Sequence, residues 1–186
     1  MASSVRVTRS GIEALKAKLA QAQKLKLQVG WFDSAKYDDG TSVAGIMAIQ
    51  EYGSEKNSIP ARPFIRPAIT DNQDKWRQLV TDGTVAVFSG DADYKQVLTA
   101  LGLTAEADIK NAIVNGQHAP LSPITIALRK HKNMEVPIGG KFVGMVAKAI
   151  AEGKTGAGEL GDQSYGNKDP LRDTGFAIDT LTHEVT

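Results

Sequence analysis

The chain has 186 residues, 41% apolar and 23% charged, and its 22 Lys and Arg nearly balance 21 Asp and Glu for a formal net charge of +1. This is the length of one domain with room for an insertion, and the composition of a folded globular chain rather than a disordered one. Near-neutrality excludes a nucleic-acid binder held by a broad basic face. The absence of cysteine excludes disulfides, thiolate zinc sites, iron–sulfur clusters and thiol catalysis.

No run approaches the roughly 20 apolar residues of a membrane span, and residues 1–10 lack the apolar core of a signal peptide, so the expected starting compartment is the cytoplasm. Ser10 and Glu13 have capping-box spacing, and Ile12, Leu15 and Leu19 follow at helical intervals. The pattern predicts a helix over 10–24 with a narrow apolar stripe, suited to covering another element. Over 25–32 the period changes to two: Leu25, Leu27, Val29 and Trp31 alternate with Lys26, Gln28 and Gly30, predicting a half-buried strand. A turn-rich loop holds Tyr37, Asp38, Asp39 and Gly40. Ser42 then caps a second helix that Gly53 ends.

Pro60, Pro63 and Pro67 exclude a regular helix or central strand through Ile59–Arg66, and Pro67 suits a first helical turn. Helix continues through Ile69, Trp76, Leu79 and Val80. After Gly83, residues 84–88 fit a short strand or a helix end. A further helix is predicted over 94–114, with Gly102 as its weak point. Residues 119–128 form a proline-anchored lead into one or two helical turns. Residues 131–168 read as an insertion: one amphipathic helix around 142–150 with glycine-rich shoulders. Residues 170–175 form a sharp loop, 176–181 allow a last helical turn, and 181–186 a terminal strand.

Motifs for chemistry fail on context. Gly156–Gly161 matches G-x-G-x-x-G, but a helix precedes it where a strand is required. Gly153, Lys154 and Thr155 lack the first glycine of a phosphate loop. His118, His131 and His183 have no metal-ligand spacing and read as surface or loop histidines. The pairs Asp38/Asp39, Asp71/Asp74 and Asp91/Asp93 sit at turns or helix starts, where capping explains them. Arg129, Lys130, His131 and Lys132 are too few for a DNA footprint. Trp31 and Trp76 read as core or interface anchors rather than base-stacking platforms. The expectation is a protein that is not an enzyme and needs no cofactor or metal.

Several separated segments, in order, resemble one known group. They are Val29-Gly30-Trp31-Phe32, residues 37–44, Ile49-Gln50-Glu51-Tyr52-Gly53, Ile59-Pro60-Ala61-Arg62-Pro63-Phe64-Ile65-Arg66-Pro67, then Ala119-Pro120-Leu121-Ser122-Pro123-Ile124-Thr125-Ile126, Asp169-Pro170-Leu171-Arg172-Asp173-Thr174-Gly175 and residues 181–185. The set is similar to the neck and tail-completion proteins of tailed bacteriophages, also described as head–tail joining or virion morphogenesis proteins. The resemblance implies a non-enzymatic structural protein of the virion, assembled in the host cytoplasm. Copies would form a ring, hexameric in expectation, that completes the tail or joins it to the head. Its partners would be other neck, connector or tail proteins, and DNA would pass through the lumen without sequence-specific binding. The alternatives are a tail terminator capping the tail tube and, from other classes, a nucleotide-binding enzyme or a small DNA-binding regulator.

The expected fold is α+β: one domain over 1–186, with a small antiparallel sheet packed against helices and a late glycine-flanked helical insertion. Candidate interface residues are Ile59, Pro60, Arg62, Pro63, Phe64 and Arg66 in the proline-pinned segment, and Phe142, Met145 and Val146 in the insertion. Phe64 would fill a neighbour's pocket or staple the loop to its own core. Arg62 and Arg66 would pair with carboxylates, and the apolar run 142–150 would dock on a neighbouring subunit.

Overall fold

A computed structural model describes residues 9–131, 140–153 and 169–186. Gly156–Gly161, Lys154 and Thr155 lie outside the described residues, as do Lys132 and the side chains of Lys130, His131 and Phe142. The elements in chain order are α1 (Arg9–Ala22), β1 (Leu27–Gly30), α2 (Val43–Tyr52), α3 (Ile65–Ser89), α4 (Tyr94–Asn115), α5 (Pro123–His131), α6 (Gly140–Ala151), α7 (Phe176–Asp179) and β2 (Thr182–Val185). The fold is α+β: β1 and β2 form one antiparallel pair, and helices pack against it.

α1 starts at Arg9, so Ser10 sits inside the first turn rather than at the cap. The helix packs against α3, and Lys18 Nζ donates to the Val87 carbonyl, yet Ile12, Leu15 and Leu19 stay 42–45% exposed. α2 obeys its local signals. Ser42 Oγ accepts from the Gly45 amide at 3.2 Å, and the Gly53 amide closes the helix on the Ile49 carbonyl.

Residues 84–88 are helical, and α3 runs unbroken for 25 residues. Gly83 does not break it because its missing Cβ makes room for α4: a methyl there would come within 2.4 Å of Val97 Cγ1. α4 begins with a full capping box. Asp93 Oδ1 accepts from the Gln96 amide, and Gln96 Oε1 accepts from the Asp93 amide. α3 and α4 thus form a long helical hairpin, and α4 carries the two-stranded sheet on another face.

The strands alternate as their period requires. Leu27, Val29, His183 and Val185 are half-buried; Gln28 and Glu184 are exposed. Gly102, expected as a weak point, is a fitting position instead. It lets the His183 ring lie directly on α4, where an added Cβ would fall 2.4 Å from the ring carbon Cδ2. His183 Nδ1 then donates to Glu106 Oε1 one turn along. His183 is therefore a packed, partnered residue rather than a surface histidine.

Gly102→Ala should cost about 1–3 kcal/mol by overpacking, although Ala is the better helix former by about 1 kcal/mol. Gly144→Ala in α6, where an added Cβ meets nothing within 4 Å, is the matched control and should be neutral or mildly stabilising. Urea melts of the two variants check both outcomes.

The core gathers Val43 and Met47 of α2, Phe64, Ala68 of α3, Ile109 and Ile113 of α4, and Leu171, Ala177 and Leu181 near the C-terminal end. Trp31 closes one side: its ring meets Phe64 edge-on at 5.8 Å, and its Nε1 donates to the Ala177 carbonyl at 2.6 Å. The anchor reading of Trp31 therefore holds as core. Trp76 instead ties α3 to α4, donating from Nε1 to Asp108 Oδ2 at 2.7 Å.

Candidate functional site

The proline-pinned segment is organised by a residue just before it. α3 begins at Ile65 with Phe64 at its N-cap, and a phenylalanine cannot cap. The cap arrives from α2. The buried Glu51 carboxylate accepts from the amides of Phe64 at 2.7 Å, Ile65 at 3.0 Å and Arg66 at 3.3 Å. Pro67 has no amide to satisfy, and the Ala68 amide already reaches the Phe64 carbonyl. Every donor that the helix start would leave unpaired is accounted for.

Glu51 lies in the last turn of α2, where the helix dipole disfavours a carboxylate. The start of α3 and Arg66 reverse that. Arg66 Nε donates to Glu51 Oε1 at 2.8 Å, and a terminal nitrogen of the same guanidinium donates to the Glu51 carbonyl at 2.9 Å. Burial alone would raise the Glu51 pKa. The donations from the Arg66 side chain and the three amides outweigh it and hold the carboxyl below its ordinary value.

Two buried or half-buried arginines then bind the distant motifs together. Arg62, 4% exposed, spends its whole guanidinium inside the chain: Nε on the Ala119 carbonyl at 2.7 Å, Nη1 on Gln50 Oε1 at 2.8 Å, and Nη2 on the Pro120 carbonyl at 3.0 Å. Arg129 repeats the device one segment later, with Nη1 on the Asp169 carbonyl at 2.9 Å and Nη2 on the Pro170 carbonyl at 3.3 Å. Its Nε lies 3.5 Å from Asp173 Oδ1. Each arginine clamps two consecutive carbonyls at the entrance of a proline motif. Burial first, and then the positive charge of Arg129, lower the Arg62 pKa from its ordinary value.

The proline-containing segments, far apart in sequence, thus converge on one side of the fold. A cleft of about 760 Å³ opens beside them, between the loop at 37–41, α2 and residues 170–179. Tyr37, Met47, Gln50, Arg129 and Phe176 line its wall, and Asp38, Asp39, Asp173 and Asp179 make its lining acidic. Burial, and then the Asp173 charge, raise the Tyr37 pKa.

The predicted interface residues divide. Phe64 is fully buried in the chain's own core, so of the two readings the self-staple is the correct one. Arg62 pairs with carbonyls and an amide of its own chain rather than with a partner's carboxylate. Arg66 does meet a carboxylate, but it is Glu51 of the same chain. Its side chain remains 57% exposed and stacks its guanidinium carbon 5.1 Å above the Tyr52 ring. Ile59 is half-buried in a turn, exchanging backbone hydrogen bonds with Ser54; Pro60 is exposed and Pro63 half-buried. In the insertion, α6 packs on α5 and Val146 is fully buried, which corrects its assignment to a docking face. Met145 is 58% exposed, and the Phe142 side chain lies outside the described residues.

Glu51 and Gln50 stood in the motif set without a role, and the role of Arg129 went unassigned. A signal for Glu51 existed: an acid in a helix's last turn directly before a glycine stop sits against the dipole and needs an outside partner. Arg129 read as part of a basic run, because nothing local distinguishes a solvated arginine from a clamp. Among the described residues, no group of three or more acidic or histidine side chains is placed to hold a metal ion, and no helix is long and apolar enough to cross a membrane. No protein-family model, curated protein or solved structure matches the chain.

Proposed function

We propose that the chain is a structural protein of a tailed-phage particle, forming a ring at the head–tail neck that completes the tail or joins it to the head. One observation carries the reading. The ordered motif set is a single packed unit, in which Glu51, Arg62 and Arg129 hold the Ile59–Pro67, Ala119–Pro123 and Asp169–Gly175 segments against one another. Motifs spent on rigidity rather than on a reactive group suit a part that must present a fixed surface to its neighbours. The half-exposed apolar stripe of α1 is consistent with a chain that buries further surface on assembly. In this reading the protein resides in the virion, catalyses nothing, and lets DNA pass through its lumen.

The test is position. An electron-microscopy map of the particle should place several copies of the chain in a closed ring between head and tail. Density for the chain elsewhere, or a single copy in the assembled particle, overturns the reading. A closed ring needs head-to-tail contacts between copies, so native mass spectrometry of the disassembled neck should release a symmetric multimer.

A further inference from the structure

The ladder between β1 and β2 is short and, among the described residues, open on both sides. Lys26 and Thr186 exchange two backbone hydrogen bonds, at 2.7 and 3.0 Å, and the register pairs Leu27 with Val185 and Val29 with His183. In an antiparallel ladder, hydrogen-bonded and non-bonded pairs alternate. Leu27 and Val29 therefore aim their N–H and C=O groups along the outer edge of β1. His183 and Val185 aim theirs along the outer edge of β2. None of these backbone groups has a hydrogen-bond partner among the described residues.

A two-stranded sheet is marginal alone, and an open edge is a template for another strand. Neither strand is blunted by a proline or a bulge. The two edges also differ in charge. On the exposed face, the β1 side carries Lys26 and no acid, whereas β2 carries Glu184 and no lysine or arginine. Like edges brought together set lysine near lysine or glutamate near glutamate. Unlike edges set Lys26 of one copy against Glu184 of the next.

We propose that the outer edge of β1 in one copy pairs with the outer edge of β2 in the next, so that the sheet continues antiparallel from copy to copy. The partner is a second copy of this chain. In the register that sets Lys26 opposite Glu184, Leu27 of one copy exchanges backbone bonds with His183 of the other, and the half-buried faces stay on one side. The contact is heterologous, and this inference rests on the neck reading for its closure into a ring.

The experiment uses the full-length chain and follows self-association by native mass spectrometry and sedimentation. Val185→Pro removes one outward amide and leaves the internal ladder intact, because that amide does not take part in it. Val185→Ala controls for the lost side chain, and Leu27→Pro against Leu27→Ala does the same on the other edge. Each proline variant should associate about tenfold more weakly than its alanine control, the equivalent of one lost hydrogen bond. Lys26→Glu or Glu184→Lys alone should weaken association, and the two together should restore it.

Equal association of the proline and alanine variants, no rescue by the double reversal, or a wild-type chain that stays monomeric at every accessible concentration overturns the edge pairing. A neck ring in which the β1 edge of one copy and the β2 edge of the next lie apart overturns the pairing and leaves the neck reading standing. A particle without the chain at its neck does the reverse, provided the free protein still associates through its edges.

Discussion

Glu51→Ala should destabilise the protein by about 3–5 kcal/mol, a large share of a small domain's total stability. The carboxylate is the shared acceptor of three backbone amides and one guanidinium, and it is buried where water cannot replace it. Removing it strands donors at the start of α3 and leaves the last turn of α2 without its tie to Arg66. Glu51→Gln keeps the shape and one acceptor oxygen, but it turns an N–H₂ group toward donors and should cost about 1–3 kcal/mol.

The same residue sets an acid limit. The Glu51 pKa in the folded chain lies below the ordinary carboxylate value, so the unfolded chain takes up the proton first as pH falls. The stabilisation is complete above the unfolded value and is lost as pH drops through the depressed folded value. Wild-type melting temperature should therefore fall across that acid window, and the Glu51→Gln variant, already without the charge, should show a shallower fall. Denaturant midpoints for the three proteins, taken from neutral to acid pH, check both statements. An unchanged acid slope in the Gln variant would assign the pH dependence to other carboxylates.

Phe64→Ala should cost about 3–5 kcal/mol of folding stability. The ring is fully buried, meets Trp31 edge-on, and sits in the cluster that joins α2, α3, α4 and the C-terminal residues. Its deletion opens a cavity between elements that Glu51 and Arg62 hold in place, so the site cannot collapse to fill it. Any assembly defect in this variant should track its loss of stability. Urea unfolding of Phe64→Ala beside Met145→Ala, which truncates an exposed side chain, separates a core role from a surface one. A loss below about 1 kcal/mol for Phe64→Ala would contradict the packing described above.

What the sequence determined by itself was local. The alternation at 25–32, the Ser42 cap and the Gly53 stop, the proline restriction that begins at Ile59 and the long period-3.6 stretches each depend on residues within a turn or two of one another. The elements formed close to those signals with shifted bounds: the strand spans Leu27–Gly30, and α3 starts at Ile65, two residues ahead of the predicted start, because Pro67 in a first turn has no amide to lose. They also sufficed for the fold class, since two short strands among many amphipathic helices leave few ways to bury apolar faces.

The tertiary structure decided everything that depends on which element meets which. Residues 84–88 carried no local signal strong enough to choose between strand and helix, and the hairpin with α4 chose helix. Gly83 and Gly102, costly by propensity, are required by the Val97 and His183 side chains that lie against them. Phe64 could as well have faced a neighbour until Trp31 and the core cluster enclosed it. Glu51 looked misplaced at a helix C-terminus until the bare N-terminus of α3 was brought to it. Arg62 and Arg129 could not be recognised as clamps, because their acceptors are main-chain carbonyls 57 and 40 residues away, and a carbonyl leaves no mark in the sequence. Burial and long-range hydrogen bonds are properties of the assembled chain, and they separate an arginine that waits for a partner from one that has already spent its donors.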